Sequence, residues 1–323
     1  MSRSRHLCQP GYETFIAKEA GAPLEKGPGW VLSGAWAQDL AFSHLALLDP
    51  VEFKAKTGKR MALDLAAHFR ETSKEVRYDG PWPLCFESAG VEGLTQRRKT
   101  VEASFREETA QLSRVMRLSA AGRPGMGPAS GFFVVLTAFD RAFAGRRAWG
   151  GGQRRMADDA QAPSRSYLKV EEAYMILGEA PKAGESVVDL GAAPGGWSYS
   201  AARRGASVTA IDNGPLKSGA SGHGLIEHRK EDAFTFSPPA PADWLFCDLL
   251  EDPSRTLGLV RRWVEADWCR KFVANLKFGR NDPLPLLREA LSSRGGLAPK
   301  CPFLKARHLY HDREELTLVG RVG

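Results

Sequence analysis

Apolar and polar positions divide the chain into three stretches with different rhythms. Residues 6–80 mix short apolar runs (WVLSGAW, LAFSHLALL) with a helical stretch at 61–75, the pattern of a small α+β unit over 1–78. Residues 84–89 (LCFESA) predict a strand, 92–117 a long helix with Val101, Phe105, Leu112 and Val115 on one stripe, and 131–139 (GFFVVLTAF) a buried strand, hence a second α+β unit over 79–150. The segment at 148–166 is rich in Gly and charge and lacks apolar periodicity, so a linker is expected at 151–165 with the domain boundary inside it. From 166 to 323 strands and helices alternate, which predicts an α/β domain with a mainly parallel sheet. Its strands are expected at 186–190, 207–212, 224–229, 243–248, 272–278, 305–311 and 315–322, and its helices at about 168–180, 195–204, 253–267 and 284–294. The last two strands are separated by only about Arg313 and Glu314, a spacing open to an antiparallel hairpin and too short for a parallel crossover.

Composition adds bounds to this picture. A chain of 323 residues, 43% hydrophobic and 26% charged, reads as globular with at least two domains. No apolar run approaches the roughly 18 residues of a membrane span, and the start, MSRSRHLCQPGYETF, has no apolar signal core, so a cytoplasmic protein without a membrane partner is expected. Cys8, Cys85, Cys247, Cys269 and Cys301 are scattered, odd in number and free of C-x-x-C spacing, which argues against zinc, iron–sulfur clusters and a disulfide framework; no metal is expected. The net charge of +7 suggests a polyanionic partner. Most of the excess lies in residues 1–160, with 23 Lys and Arg against 18 Asp and Glu, and it clusters at Arg97, Arg98, Lys99, Arg106, Arg114, Arg117, Arg123, Arg141, Arg146, Arg147, Arg154 and Arg155. This is either a phosphate-binding surface or a solvated helix face balanced by Glu102, Glu107 and Glu108.

Candidate chemistry concentrates in VVDLGAAPGGWSYSAARRGASVTAIDNGP (187–215), where an apolar strand runs into a Gly-rich turn, a helix follows, and a second strand ends in Asp212. Gly191, Gly195 and Gly196 permit a tight turn and close approach of a ligand to the backbone. Asp212 lies 21 residues after Gly191, near the spacing at which a carboxylate meets ribose hydroxyls. A turn of this kind serves an NAD site or a purely structural role elsewhere, but it reads G-A-A-P-G-G-W rather than G-x-G-x-x-G. Lysines at strand ends facing such a site are candidate bases, since burial or a second cation lowers a lysine pKa. Lys277 ends the apolar strand FVANLKF and Asp248 ends DWLFCD, while Lys169 opens a helix before the first strand and Glu315 begins the last strand. Each alone reads by default as a surface charge.

The segment D-L-G-A-A-P-G-G-W closely resembles the S-adenosylmethionine-binding motif of the FtsJ-type RNA 2′-O-methyltransferases, and the ordered set Lys169, Asp248, Lys277, Glu315 resembles their K-D-K-E tetrad. The resemblance implies a Rossmann-like class I methyltransferase sheet with an antiparallel C-terminal hairpin, and S-adenosylmethionine as cofactor, released as S-adenosylhomocysteine. It places the cofactor against Gly191, Ala193, Pro194, Gly195, Gly196, Trp197 and Asp212, with Asp248 nearby, Asp232 (in HRKEDAF) against adenine and Ser166 as a further contact. The alternative reading of Asp232 and of Ser166 is a helix cap. By the same resemblance Lys277 is the general base, Lys169 lowers its pKa and helps place the ribose, Asp248 orients the lysines, and Glu315 completes the network; Glu314 is one residue away and would face the other side of the strand. Competing chemistries leave gaps. Cys247 lacks the Pro-Cys setting of a cytosine-C5 methyltransferase and reads as core, and the place for an (Asp/Asn)-Pro-Pro-aromatic turn reads CDLLEDP.

CQPGYE, APSRSYLKVEEA, D-N-G-P and LYHDREELT further resemble the RlmM family, which methylates a cytidine ribose in bacterial 23S rRNA. That resemblance implies an N-terminal α+β region of ferredoxin-like and THUMP type, with a THUMP-like RNA-binding module at 79–150. The implied substrate is 23S rRNA, naked or in a large-subunit assembly intermediate, and a monomer is expected. A methyltransferase for another RNA such as tRNA, and a noncatalytic RNA-binding protein with a vestigial site, are the alternatives.

Overall fold

The computed structural model describes residues 3–74 and 76–323; Met1, Ser2 and Glu75, the last of these at the end of the helical stretch expected at 61–75, lie outside the described residues. The chain divides into two units between Gly152 and Gln153.

The N-terminal unit is one nine-stranded sheet carrying two long helices. Its strands are β1 (Ser4–Leu7), β2 (Pro23–Gly27), β3 (Trp30–Ser33), β4 (Leu45–Leu48), β5 (Val51–Lys54), β6 (Trp82–Ser88), β7 (Ser119–Ala121), β8 (Gly127–Ala138) and β9 (Arg141–Gly150). They are ordered β2-β3-β1-β4-β9-β8-β6-β7, with β5 also on β9, so strands from both sides of residue 78 share the sheet. Helix α1 (Glu13–Ala20) packs near β2 and β3, while α2 (Gly58–Ser73) and α3 (Leu94–Glu108) supply apolar stripes to the core. There the Phe105 and Phe132 rings stack at 5.5 Å, and Phe69 stacks on Trp82 at the same distance. The single helix expected over 92–117 is broken: α3 ends at Glu108, where Thr109 turns its hydroxyl back onto the Phe105 carbonyl at 2.7 Å, and α4 (Ser113–Arg117) starts anew. Much of the arginine cluster is engaged within the unit: Arg98 and Arg106 pair with Glu102, Arg123 with Glu87, Arg141 with Glu25 and Glu52, and Arg147 with Asp49.

The C-terminal unit opens with α5 (Tyr167–Leu177) and continues β10 (Ser186–Leu190), α6 (Gly196–Ala202), β11 (Ser207–Ile211), β12 (Ile226–Arg229), β13 (Ala242–Cys247), α7 (Pro253–Glu265), β14 (Cys269–Lys277), α8 (Leu284–Leu291), β15 (Phe303–Arg307) and β16 (Glu315–Arg321). The sheet order is β12-β11-β10-β13-β14-β16-β15. The first five are parallel; β16 runs antiparallel to both β14 and β15. Helix α5 ends where Gly178 takes a left-handed turn and donates to the Tyr174 carbonyl, and α7 starts on an Asp252 side chain accepting from Ser254 and Arg255, with Pro253 in its first turn. Trp244, Phe246, Phe272 and Trp263 fill the core.

Two boundaries differ from expectation. The strand expected at 305–311 ends at Arg307, and seven residues rather than two join it to β16; 308–312 are loop, with His308, Leu309 and Asp312 buried. The segment expected as a linker also belongs partly to structure. The first residues of the Gly-rich segment, ahead of the expected linker, finish β9, where a side chain at Gly150 would strike the Gly125 carbonyl oxygen at 2.0 Å, and residues from Gln153 onward are fastened into the C-terminal unit.

Candidate active site

Strand order reverses between β10 and β13, and in open α/β sheets ligands bind outside the carboxyl ends at such a point. The Gly-rich turn follows β10 there. Gly191 and Gly195 have φ of +80° and +107°, which favours glycine, and a Cβ at Gly195 would lie 2.5 Å from that of Ala220. Gly196 is constrained by proximity, since its added Cβ would meet Ser166 Oγ at 2.7 Å. Asp212, just past β11, holds the turn: its carboxylate accepts from the amides of Ala193 at 3.0 Å and Gly214 at 2.7 Å. Each carboxylate oxygen has a second lone pair, so the same group can accept from a diol. Pro194 accepts from the Lys217 amide, and Trp197 is buried against Phe246, its indole N–H donating to the Ser166 carbonyl at 2.9 Å. Ser166 does not cap α5; its hydroxyl lies 2.7 Å from that of Ser164. Asp232 sits exposed after β12, where its side chain accepts from the Phe234 amide and closes a turn.

The four charged residues of the K-D-K-E set converge. Lys169, from α5, makes a buried ion pair with Glu315. Lys277, at the end of β14, donates to Asp248 Oδ1 at 3.0 Å and to the Asp248 carbonyl at 3.1 Å. The antiparallel register sets Lys277 opposite Glu315, which joins the two pairs. It is Glu315 that meets Lys169; Glu314 is exposed, and its carbonyl accepts from Gly279. Burial works against the Lys169 ammonium, but the charges of Asp248, Glu315 and Asp312 outweigh it and hold Lys169 above its ordinary value. Lys169 therefore keeps its proton.

Behind these pairs runs a buried polar chain that the motif did not reveal. Asn275 Nδ2 donates to Asp248 Oδ1 at 3.2 Å, and the Thr317 hydroxyl donates to Asn275 Oδ1 at 2.6 Å while lying 3.1 Å from Asp312 Oδ2. Burial, reinforced by the Glu315 charge, pushes the Asp312 carboxyl well above the ordinary range. Asn275 was visible as the polar residue interrupting FVANLKF, but its partner followed only from the register of Asn275 with Thr317. Also missed was Glu172, fully buried in α5, which accepts from the amides of Arg154 (2.9 Å), Tyr310 (2.8 Å) and His311 (3.3 Å). Cys247 is wholly buried and its thiol is pushed up to about 12, in keeping with a core role.

Ser166, Lys169, Lys277 and Glu315 line one cavity of about 1370 Å³, together with Arg165, Leu250, Tyr310 and Arg313. Asp212, Asp232 and the glycines of the turn belong to the same carboxyl edge but are not among its lining residues. The arrangement suits a cofactor along the β10–β11 edge and an acceptor hydroxyl near Lys277.

The family model for FtsJ-like methyltransferases matches residues 162–259. A ribosomal RNA large subunit methyltransferase M from Laribacter hongkongensis is 31% identical over 345 aligned positions, which cover 96% of this chain and 94% of that one. Proteins of the same name from Thauera aminoaromatica and Halorhodospira halophila are 44% and 42% identical over 179 residues each, covering 52% and 54% of this chain. The chain spans about half the length of these two, 49% and 52%. Near-complete coverage of the Laribacter protein places the chain in the ribosomal RNA large subunit methyltransferase M family, with an FtsJ-like methyltransferase fold in its C-terminal unit.

Proposed function

We propose that the protein transfers a methyl group from S-adenosylmethionine to the ribose 2′-oxygen of a cytidine in 23S rRNA. The observation that carries this reading is the convergence of the Lys169–Glu315 and Lys277–Asp248 pairs, with Lys169, Lys277 and Glu315 lining one cavity. The turn fits the cofactor chemically: its glycines leave room for a ligand against the backbone, and Asp212 offers a carboxylate already fixed by two amides. In the proposed site Gly191, Ala193, Pro194, Gly195, Gly196 and Trp197 border the cofactor, with Asp232 toward its adenine and Ser166 toward its methionine end. When bound, S-adenosylmethionine supplies a methyl group on a sulfonium, an electrophile that needs no metal.

Lys277 Nζ would accept the proton of the 2′-hydroxyl as that oxygen takes the methyl group a bound S-adenosylmethionine would supply, S-adenosylhomocysteine being the leaving product. Asp248 aims the Lys277 amine through its carboxylate and carbonyl. Lys169, charged and tied to Glu315, places the ribose. The N-terminal unit, in this reading, contributes RNA binding of THUMP type, and the substrate is naked or partly assembled rRNA in the cytoplasm, met by a monomer. Mass-spectrometric mapping of ribose methylation in 23S rRNA from cells lacking the gene tests this. One 2′-O-methylcytidine should vanish and return only with the wild-type gene; an unchanged map sinks the rRNA assignment and directs the search to tRNA.

A further inference from the structure

The proposed reaction accounts for the ribose of the acceptor, yet the base must also be held, because a nucleotide free to rotate would carry its 2′-oxygen out of line. The cavity is lined mainly by charged and polar side chains; the exceptions with substantial apolar surface are Leu168, Leu250 and the rings of Tyr310 and His311. Tyr310 is 38% exposed and Leu250 92%.

The loop that carries Tyr310 is fastened with unusual density. Besides the bonds from Tyr310 and His311 to Glu172, the Leu309 amide donates to Asp312 Oδ2 at 2.8 Å and the His308 ring lies 2.8 Å from the Arg313 carbonyl. Met156 donates to the His311 ring at 2.9 Å, so the segment after Gln153 is tied to the same loop. Glu172, His308 and Asp312 are buried. All this fixes a backbone whose aromatic ring, edge-on to the His311 ring with centroids 5.6 Å apart, keeps an exposed side at the cavity. A rigid, exposed ring beside a ribose-modifying centre has the chemistry of a stacking platform, the means by which proteins hold unpaired bases. Arg165 lines the same cavity and pairs with Asp158 at 3.3 Å with both side chains largely exposed, a contact weak enough to exchange for a phosphate.

We infer that the cavity contains an acceptor-nucleotide subsite in which an unpaired RNA base, turned out of its strand, stacks on the Tyr310 ring, with Leu250 adding apolar contact and Arg165 meeting the adjoining phosphate. The inference rests on the reading of the protein as an RNA ribose methyltransferase. Tyr310 is a substrate-positioning residue and takes no part in proton transfer.

The test uses the full-length protein and an RNA fragment containing the mapped nucleotide, comparing wild type with Tyr310→Phe, Tyr310→Leu and Tyr310→Ala. S-adenosylmethionine affinity, measured by calorimetry, reports whether the fold and cofactor site survive. Tyr310→Leu and Tyr310→Ala should each lower kcat/KM for RNA by about ten-fold or more, carried mainly by KM, with cofactor affinity unchanged and Tyr310→Phe close to wild type. On RNA whose target nucleotide lacks its base, wild type should fall to the level of Tyr310→Ala and the substitution should have no further effect. An active wild type indifferent to Tyr310→Leu overturns the subsite alone. So does an equal loss from Tyr310→Ala on intact and abasic RNA, or loss of cofactor affinity in Tyr310→Phe, which would assign the residue a structural role. A wild-type protein that methylates no ribose overturns the reaction and the subsite together.

Discussion

Asp189 offers a measurement in which burial, protonation and stability are linked by one side chain. It lies in β10, just before the Gly-rich turn, and is 1% exposed. Its Oδ2 accepts from the Ser198 hydroxyl at 2.6 Å, tying the strand to α6, and Oδ1 has no hydrogen-bond partner among the described residues. Burial, with a contribution from the charges of Asp248 and Asp212, raises its pKa from 3.8 to about 7. The folded protein therefore keeps a proton that the unfolded chain has released. The stabilisation this gives is fully present below the unfolded pKa and is lost as pH rises through about 7. At about 1.4 kcal/mol per unit, the loss between about pH 5.5 and about pH 8 comes to about 2 kcal/mol. Asp189→Asn, which mimics the neutral carboxyl and can still accept from Ser198, should remove that component. Urea denaturation of both proteins at the two pH values gives the double difference, in which every other titrating group cancels. Wild type should lose about 2 kcal/mol more than Asp189→Asn on going to the higher pH. Parallel pH dependences would show instead that Asp189 is ionised in the fold.

Three further substitutions probe other parts of the structure. Glu172→Ala removes the acceptor of three part-buried amides, at about 1 kcal/mol for each bond lost, so the C-terminal unit should melt about 10 °C lower and hydrogen exchange at residues 309–311 should accelerate; unchanged exchange there would show that Glu172 does not hold the loop. Asn275→Ala releases Asp248 from a charge-assisted bond, and kcat should fall about ten-fold while cofactor affinity stays constant, an outcome contradicted by an unaltered kcat. Arg5 in β1 is a buried guanidinium without a hydrogen-bond partner among the described residues, resting 3.1 Å from the Phe143 ring centroid and 4.3 Å from that of Trp30. Burial lowers its pKa to about 9, so Arg5→Met should leave the N-terminal unit as stable as before or up to about 2 kcal/mol more stable in thermal unfolding, and a clear destabilisation would mean that the ring contacts outweigh the desolvation.

Much of the C-terminal unit was legible because short apolar strands alternate with amphipathic helices, and that pattern has few solutions. Boundaries moved by only a few residues. The exception is residues 308–311, expected as the end of a strand; the amides of Leu309, Tyr310 and His311 are instead met by the Asp312 and Glu172 carboxylates, partners that no periodicity encodes. The same reason explains the segment after Gln153. Arg154 and Met156 are held by Glu172 and His311, so the stretch needs no apolar stripe and reads as linker. At the site, Lys169, Asp248, Lys277 and Glu315 were legible because each occupies the end of a recognisable element. The Asn275–Thr317–Asp312 chain was not, because it depends on which residues face one another across β14 and β16. Arginine clustering in the first half did not reveal how many of those charges are matched by Glu25, Glu52, Glu87 and Glu102.

In the proposed reaction Lys277 deprotonates a ribose hydroxyl. Purified protein, incubated with transcribed 23S rRNA and S-adenosylmethionine and followed by digestion to nucleosides and mass spectrometry, tests it directly. Wild type should yield 2′-O-methylcytidine, and Lys277→Ala should form it at a rate lower by about 10²–10⁴, the usual contribution of a positioned general base, while still binding the cofactor. A methyl group on the base rather than the ribose, or a Lys277→Ala protein that turns over like wild type, would contradict the account.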